Sequence, residues 1–192
     1  MDYIKTAELD INLEQFKKSC LFLRDIVLTH CDRSDPGIPI GPATTQIYNK
    51  YNLLLFPFDG FYDFYVQLCK TFNKFVDDNE KYYIQCWVNV YKHGEYLDWH
   101  KHFEVEDNAW HGFFCVDAED SKTSYKLPNG EQVDVPSKNG KLVISKSAGD
   151  LHRTYPWPHE DRERLTVAFD IVPWHKVGWG INHWVPLVQG IK

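Results

Sequence analysis

Between Tyr83 and Tyr91 the chain alternates strictly. Ile84, Cys86, Val88 and Val90 fall on one face of an extended segment, and Gln85, Trp87, Asn89 and Tyr91 fall on the other. One face is apolar and the other carries rings with polar tips, the pattern of a barrel strand with core behind it and a ligand cavity in front. Period two continues downstream, with further strands expected at 96–104, 111–117, 122–127, 131–135, 141–145, 151–155 and 164–172. Asn129-Gly130 between two of them is a strong hairpin signal.

Upstream the period is helical. Leu13, Phe16, Cys20, Leu23 and Val27 form one stripe, with Asn12 as N-cap and Gln15 three residues on, so a helix is expected over about 12–30. Phe61, Phe64, Tyr65, Leu68, Phe72 and Phe75 form a second stripe, with Asp59 as its cap. The segment 31–58 is loop-like, with Asp35-Pro-Gly37 and Gly41-Pro42, and Leu53–Phe56 reads as a short strand. Helices followed by many short strands predict a mainly β barrel or sandwich with N-terminal α-helices packed outside it. The 192 residues suffice for one domain: helical support over 1–80, a β core over 81–173 and an aromatic-rich tail over 174–192.

Charge and cysteines narrow the function classes. The net charge of −6, without a block of five like charges, argues against non-specific binding to nucleic acid or an anionic membrane. No apolar run approaches a membrane span. The five cysteines, Cys20, Cys31, Cys69, Cys86 and Cys115, are odd in number and form no CxxC, which fits reduced, mostly buried thiols. The N-terminal residues lack a signal-peptide pattern, so a cytoplasmic protein is expected.

Three stretches carry chemistry. In Asp98-Trp-His-Lys-His-Phe-Glu104, residues two apart share a strand face, so His100 and His102 can reach one metal ion. A solvated polar face is the plainer reading of HxH alone. His152 opens the strand after Gly149-Asp150, and a third imidazole there completes a facial set that leaves positions for substrate and O₂. In Glu163–Ile171, Leu165, Val167, Phe169 and Ile171 form the packed face, and Arg164, Thr166, Ala168 and Asp170 point into the barrel. A buried guanidinium needs an anion: a ligand carboxylate, or an internal partner such as Asp170 or Glu104.

Together Trp87–His102, Gly149–His152 and Glu163–Ile171, about half the chain, resemble the 2-oxoglutarate/iron(II) oxygenases of the double-stranded β-helix fold. The likeness is greatest to a small phage and bacterial branch near the prolyl hydroxylases. A tyrosine stands nine residues before the first histidine, and an arginine twelve after the distal one. The resemblance implies a jelly-roll barrel and a dioxygenase that hydroxylates a C–H bond while converting 2-oxoglutarate and O₂ to succinate and CO₂. It implies His100 and His152 as iron(II) ligands, Arg164 on the distal carboxylate of 2-oxoglutarate with Thr166 helping, and Tyr91 on the same cosubstrate. Asn89 is a weaker candidate for that wall. The departure is His102, where the family usually has Asp or Glu. His102 is taken as the third ligand, with Asp98 or Glu104 as the alternative carboxylate.

Three rival readings share parts of the pattern. Gly94, His100-x-His102, Glu106 and Gly149-x-x-His152 come near the cupin motifs, but a cupin has no need of Arg164-x-Thr166 and Tyr91. Three histidines also suit zinc in a non-catalytic interaction module, although structural zinc usually takes cysteines, and these are scattered. A metal-free ligand-binding barrel leaves the order of the histidines and arginine unexplained. Trp99 and Trp110 flank the histidine pair and are candidates to shape a substrate pocket. The tail residues Trp174, Trp179 and Trp184 are candidates for a barrel cap, a homo-oligomer contact or a part in substrate binding. No motif names the primary substrate: a prolyl or other protein side chain, a free amino acid, a nucleobase and a small metabolite all fit.

Overall fold

A computed structural model describes residues 3–31, 42–147, 151–177 and 183–188. In chain order the elements are β1 (Ile4–Glu8), α1 (Leu13–His30), α2 (Phe61–Phe75), β2 (Tyr82–Tyr91), β3 (Trp110–Asp117), β4 (Lys122–Lys126), β5 (Gln132–Pro136), β6 (Lys141–Lys146), β7 (His152–Thr154), β8 (Arg164–Pro173) and β9 (Val185–Pro186). Two antiparallel sheets result, a larger one in the order β1-β6-β3-β8-β2-β9 and a smaller one in the order β5-β4-β7. No helix among the described residues is long and apolar enough to cross a membrane.

The alternation in the sequence explains the layering. Ile84, Cys86, Val88 and Val90 of β2 and Leu165, Val167, Phe169 and Ile171 of β8 join the buried stripes of α1 and α2 in one apolar core. Rings dominate it: Phe114 of β3 lies 5.7 Å from Phe16 of α1 and 5.3 Å from Phe64 of α2, centroid to centroid. Burial of these rings, at roughly 25 cal/mol per Å² of apolar surface, is what fixes the helices on the larger sheet. The other faces of β2 and β8 are turned to a cavity shared with the smaller sheet. Gly112 is required where β3 meets β6, because a Cβ there would lie 2.1 Å from the Val143 carbonyl oxygen and 2.5 Å from Phe169 Cζ.

One edge of the larger sheet is closed by side chains. Beyond the two residues that pair with β9, the β2 backbone N–H groups of Cys86, Val88 and Val90 donate to Asn52 Oδ1 (3.1 Å), Tyr51 OH (2.9 Å) and Thr44 Oγ1 (3.1 Å). Asn52 also donates to the carbonyls of Ile84 (3.0 Å) and His183 (2.6 Å), tying three segments together. The segment 42–56 thus does the work of a neighbouring strand without being one, and leaves no open edge at these positions.

Several expectations are corrected. Leu53–Leu55 is a 3₁₀ turn, not a strand. The N-cap of α2 is Gly60 (φ 85°), and Asp59 instead accepts a hydrogen bond from Gln15. Asn12 does cap α1 through Gln15 N–H. The segment 96–104 is not a regular strand: it touches the smaller sheet through Leu97 with Thr154 and through an isolated bridge between His100 and His152. β1 and β9 carry no strong signal, β1 because polar residues interrupt it and β9 because it is two residues long and contains a proline. Asp35-Pro-Gly37, Gly41, Gly149-Asp150 and Trp179 lie outside the described residues. All five cysteines are free thiols.

Candidate metal and cosubstrate site

Two short segments bring three imidazoles together. His100 and His152 exchange both backbone hydrogen bonds at 2.9 Å, so their rings leave neighbouring backbones on the same side, with centroids 4.2 Å apart. Past His100 the chain turns away from the smaller sheet and carries His102 across the cavity to Asp170 of β8. The nitrogen donors of His100, His102 and His152 all lie within 4.8 Å of one another. One ion with bonds of about 2.1 Å holds facial donors about 3 Å apart, so the rings would draw together on binding it.

The tautomers follow from the partners. His100 Nδ1 faces the Asp98 carbonyl at 2.7 Å, and a carbonyl only accepts, so Nδ1 carries the proton and Nε2 keeps its lone pair. His102 Nδ1 faces Asp170 Oδ1 at 2.6 Å, and a carboxylate imposes the same tautomer. Burial, and then the charge of neighbouring His102, lower the His100 pKa to about 4. The His100 ring therefore presents a basic nitrogen over the neutral pH range, which is what a divalent ion requires. Asp98, Glu104 and the cupin-like Glu106 are exposed, and none joins the cluster. Glu104 caps a 3₁₀ turn and pairs with Lys101.

A fourth imidazole, which the sequence leaves open between surface and pocket, lies beside the three. His111 of β3 is buried, stacks on His152 at 4.3 Å and lies 4.8 Å from His102. Burial first, then the three other histidines, hold its pKa well below the usual value. It is not one of the three converging donors. It stands opposite Asp170 on the adjacent strand, a register that the sequence alone does not reveal.

At the other end of β8, Arg164 is only 3% exposed, and no carboxylate pairs with it among the described residues. Asp170 cannot reach it. The two are six residues apart on one strand face, about 20 Å at roughly 3.3 Å per residue. The guanidinium is instead held by its Nε–H to Ser121 Oγ (2.9 Å) and by the ring of its cross-strand neighbour Tyr91 (4.7 Å). With Nε engaged, the paired terminal nitrogens are the fork left for an anion. Ser121, in the turn before β4, is another residue that no sequence motif marks.

These groups share one cavity of about 580 Å³. Its lining includes Tyr91, Arg164, Thr166 and Asn89 as well as the three histidines. Asn89 is partly committed, since its Oδ1 accepts from Thr45 Oγ1 at 2.7 Å. Trp87, Tyr48, Trp99, Phe103 and Trp184 supply aromatic walls. Trp110 does not: it is buried in the core against Phe72.

No family model and no curated protein matches the sequence. Solved structures do match. A Pseudomonas putida prolyl-4-hydroxylase is 16% identical over 89% of this chain and 92% of its own, with a TM-score of 0.54. HygX from Streptomyces hygroscopicus, solved with nickel and 2-oxoglutarate bound, is 13% identical over 93% of this chain and 85% of its own, with a TM-score of 0.59. The fold is that of the 2-oxoglutarate/iron(II) oxygenases. The chain also spans about half the length of an oxygenase of that family from Burkholderia pseudomallei, with 12% identity, 54% of this chain, 51% of that one and a TM-score of 0.48. Identities this low carry the fold and leave the chemistry to the site.

Proposed function

We propose that the protein is an iron(II)- and 2-oxoglutarate-dependent dioxygenase that hydroxylates a C–H bond of an unidentified primary substrate. The two sheets are read as the halves of a double-stranded β-helix. His100, His102 and His152 hold the metal, and Arg164, Thr166, Tyr91 and Asn89 form the cosubstrate wall. The observation that carries the reading is the pairing, in one cavity, of three converging imidazoles with a buried arginine that has no carboxylate partner among the described residues. Nitrogen donors fit a divalent ion, and the anchored guanidinium fits the distal carboxylate of a dicarboxylate cosubstrate.

His100, His102 and His152 would hold iron(II), which when bound would supply the redox chemistry for oxidising a C–H bond at the expense of 2-oxoglutarate. The chain's own part is placement. Ser121 and Tyr91 fix the Arg164 fork before ligand arrives, so little ordering entropy is lost on binding. Asp170 and the Asp98 carbonyl fix the ring tautomers of His102 and His100. The aromatic walls keep water from the reacting centre and leave room beside the cosubstrate for part of a second molecule. The free thiols fit a reducing, cytoplasmic setting.

The direct test is anaerobic titration of iron(II) and then 2-oxoglutarate, watching for the weak visible absorption of the chelate, with His152→Ala alongside. A band in the wild type that is lost in the variant supports the assignment. Metal binding with no band on adding 2-oxoglutarate rejects it in favour of a metalloprotein that does not use this cosubstrate.

A further inference from the structure

Three neutral imidazoles leave a bound divalent ion one unit more positive than the two-histidine, one-carboxylate set that non-haem oxygenases use. The structure places a carboxylate one hydrogen bond away. Asp170 is 6% exposed, its Oδ1 lies 2.6 Å from His102 Nδ1, and no lysine or arginine pairs with it among the described residues. Its nearest cationic neighbour on the same strand face, Arg164, is engaged at the far end of β8. A buried carboxylate without a counter-charge costs several kcal/mol, so this one is placed for a positive charge on the other nitrogen of His102. The ring between them is clamped: Trp87 stacks at 6.1 Å and 21°, and His111 lies 4.8 Å away.

Resting on the metal site proposed above, we propose that Asp170 is a positioning residue that supplies, through His102, the negative charge a ligating carboxylate normally gives the metal. The His102 imidazole hydrogen-bonded to Asp170 acts as a more basic, partly anionic ligand. Asp170 never touches the ion or the substrate; it fixes which nitrogen of His102 faces the metal and how strongly that nitrogen donates.

A charge-exchange series on the full chain tests this, with cobalt(II) and, anaerobically, iron(II) as probes and affinity read by chelator competition. Asp170→Asn keeps the shape and removes the charge, and is expected to weaken both metals by about 10- to 100-fold. His102→Asp in the Asp170→Asn background restores one carboxylate at the site, now as a direct ligand, and is expected to recover most of that loss. A purely structural role for Asp170 predicts no such recovery. The inference is overturned if Asp170→Asn binds metal like the wild type, or if the double variant binds no better than Asp170→Asn. Should Asp170→Asn fail to fold, the zinc-loaded wild type decides through its histidine ¹H–¹⁵N spectrum. A slowly exchanging proton on His102 Nδ1 is expected, and zinc on Nδ1 overturns the proposal. A wild type that takes up no metal overturns the dioxygenase reading itself, which separates that failure from this one.

Discussion

Replacing Arg164 by Met separates a functional arginine from a structural one, because the two roles predict opposite signs. In the ligand-free protein the guanidinium is 3% exposed, and among the described residues its neighbours are neutral, the Ser121 hydroxyl and Tyr91. The ring contributes about 2 kcal/mol and the bond to Ser121 about 1.5–3 kcal/mol, against several kcal/mol for burying the charge. Met fills similar volume. Ser121 Oγ keeps the Ala118 carbonyl (2.6 Å) and Ser137 Oγ (2.9 Å), so nothing polar is orphaned. Arg164→Met is therefore expected to leave ligand-free stability within about 1 kcal/mol of the wild type or to raise it, a shift of under ~4 °C in Tm. Its effect on 2-oxoglutarate should be large: losing a buried charge-assisted partner costs about 2–5 kcal/mol, or roughly 30-fold to several thousandfold in Kd. The assay is thermal unfolding with zinc as a redox-silent metal, without and with 2-oxoglutarate. At a ligand concentration of about 100 times the wild-type Kd the wild type gains about 2.7 kcal/mol, and Arg164→Met gains about 0.9 kcal/mol or less. A variant that melts far below the wild type without ligand, or that shifts upward with 2-oxoglutarate as far as the wild type does, refutes the assignment of Arg164 to the cosubstrate.

Other consequences are simpler to check. Gly112→Ala forces a Cβ onto the Val143 carbonyl and Phe169, both packed in the core, and should cost about 3 kcal/mol or more, seen as a fall in urea midpoint or loss of soluble protein. Tyr51→Phe strands the buried Val88 N–H and should cost about 1–3 kcal/mol by urea unfolding; a loss below ~0.5 kcal/mol would mean that water replaces the hydroxyl. For acid, the sign follows from His100, whose pKa falls from 6.5 to about 4 on folding. The unfolded chain then binds the extra proton between those values, so stability drops as pH falls from 6.5 to 4, by up to about 3 kcal/mol, and the loss ends below 4. Metal-free protein unfolded in urea across that window should show the slope, and His100→Gln should flatten it; equal slopes would clear His100 of the effect.

The strands are legible in the sequence where both faces are buried. In β2 and β8 one face meets helices and the other meets the cavity, so the alternation of ring or charge with aliphatic residue survives intact, and the cavity face shows in the pattern residue by residue. The helices are legible for a related reason, since Phe16, Cys20, Leu23 and Val27 form one stripe buried in the core beside the larger sheet. The failures have physical causes as well. The segment 96–104 has the alternation of a strand, but it must leave the smaller sheet to carry His102 to Asp170 on the larger one, and a regular ladder would hold it back. Glu104, placed on the metal face by periodicity, falls beyond that departure and caps a turn instead. The side chains that close the edge of β2 come from Thr44, Tyr51 and Asn52, whose roles depend on tertiary proximity that no local pattern records.

Strand geometry alone decides between the two partners open to Arg164. Asp170 is a plausible internal one, because both residues point into the barrel from the same strand. Yet same-face residues six apart stand about 20 Å from each other, beyond the combined reach of their side chains. The two charges cannot neutralise one another, and burial on both faces of β8 denies them water. Each must then find its counter-charge inside the cavity: an anion against Arg164, and a cation relayed to Asp170 through His102. A single strand that sets a buried positive group at one end of a cavity and a buried negative group at the other is polarised for a ligand pair of the reverse order, a metal ion at one end and a carboxylate at the other. That arrangement needs no family resemblance to be read, and it is the layout a metal-chelated dicarboxylate occupies.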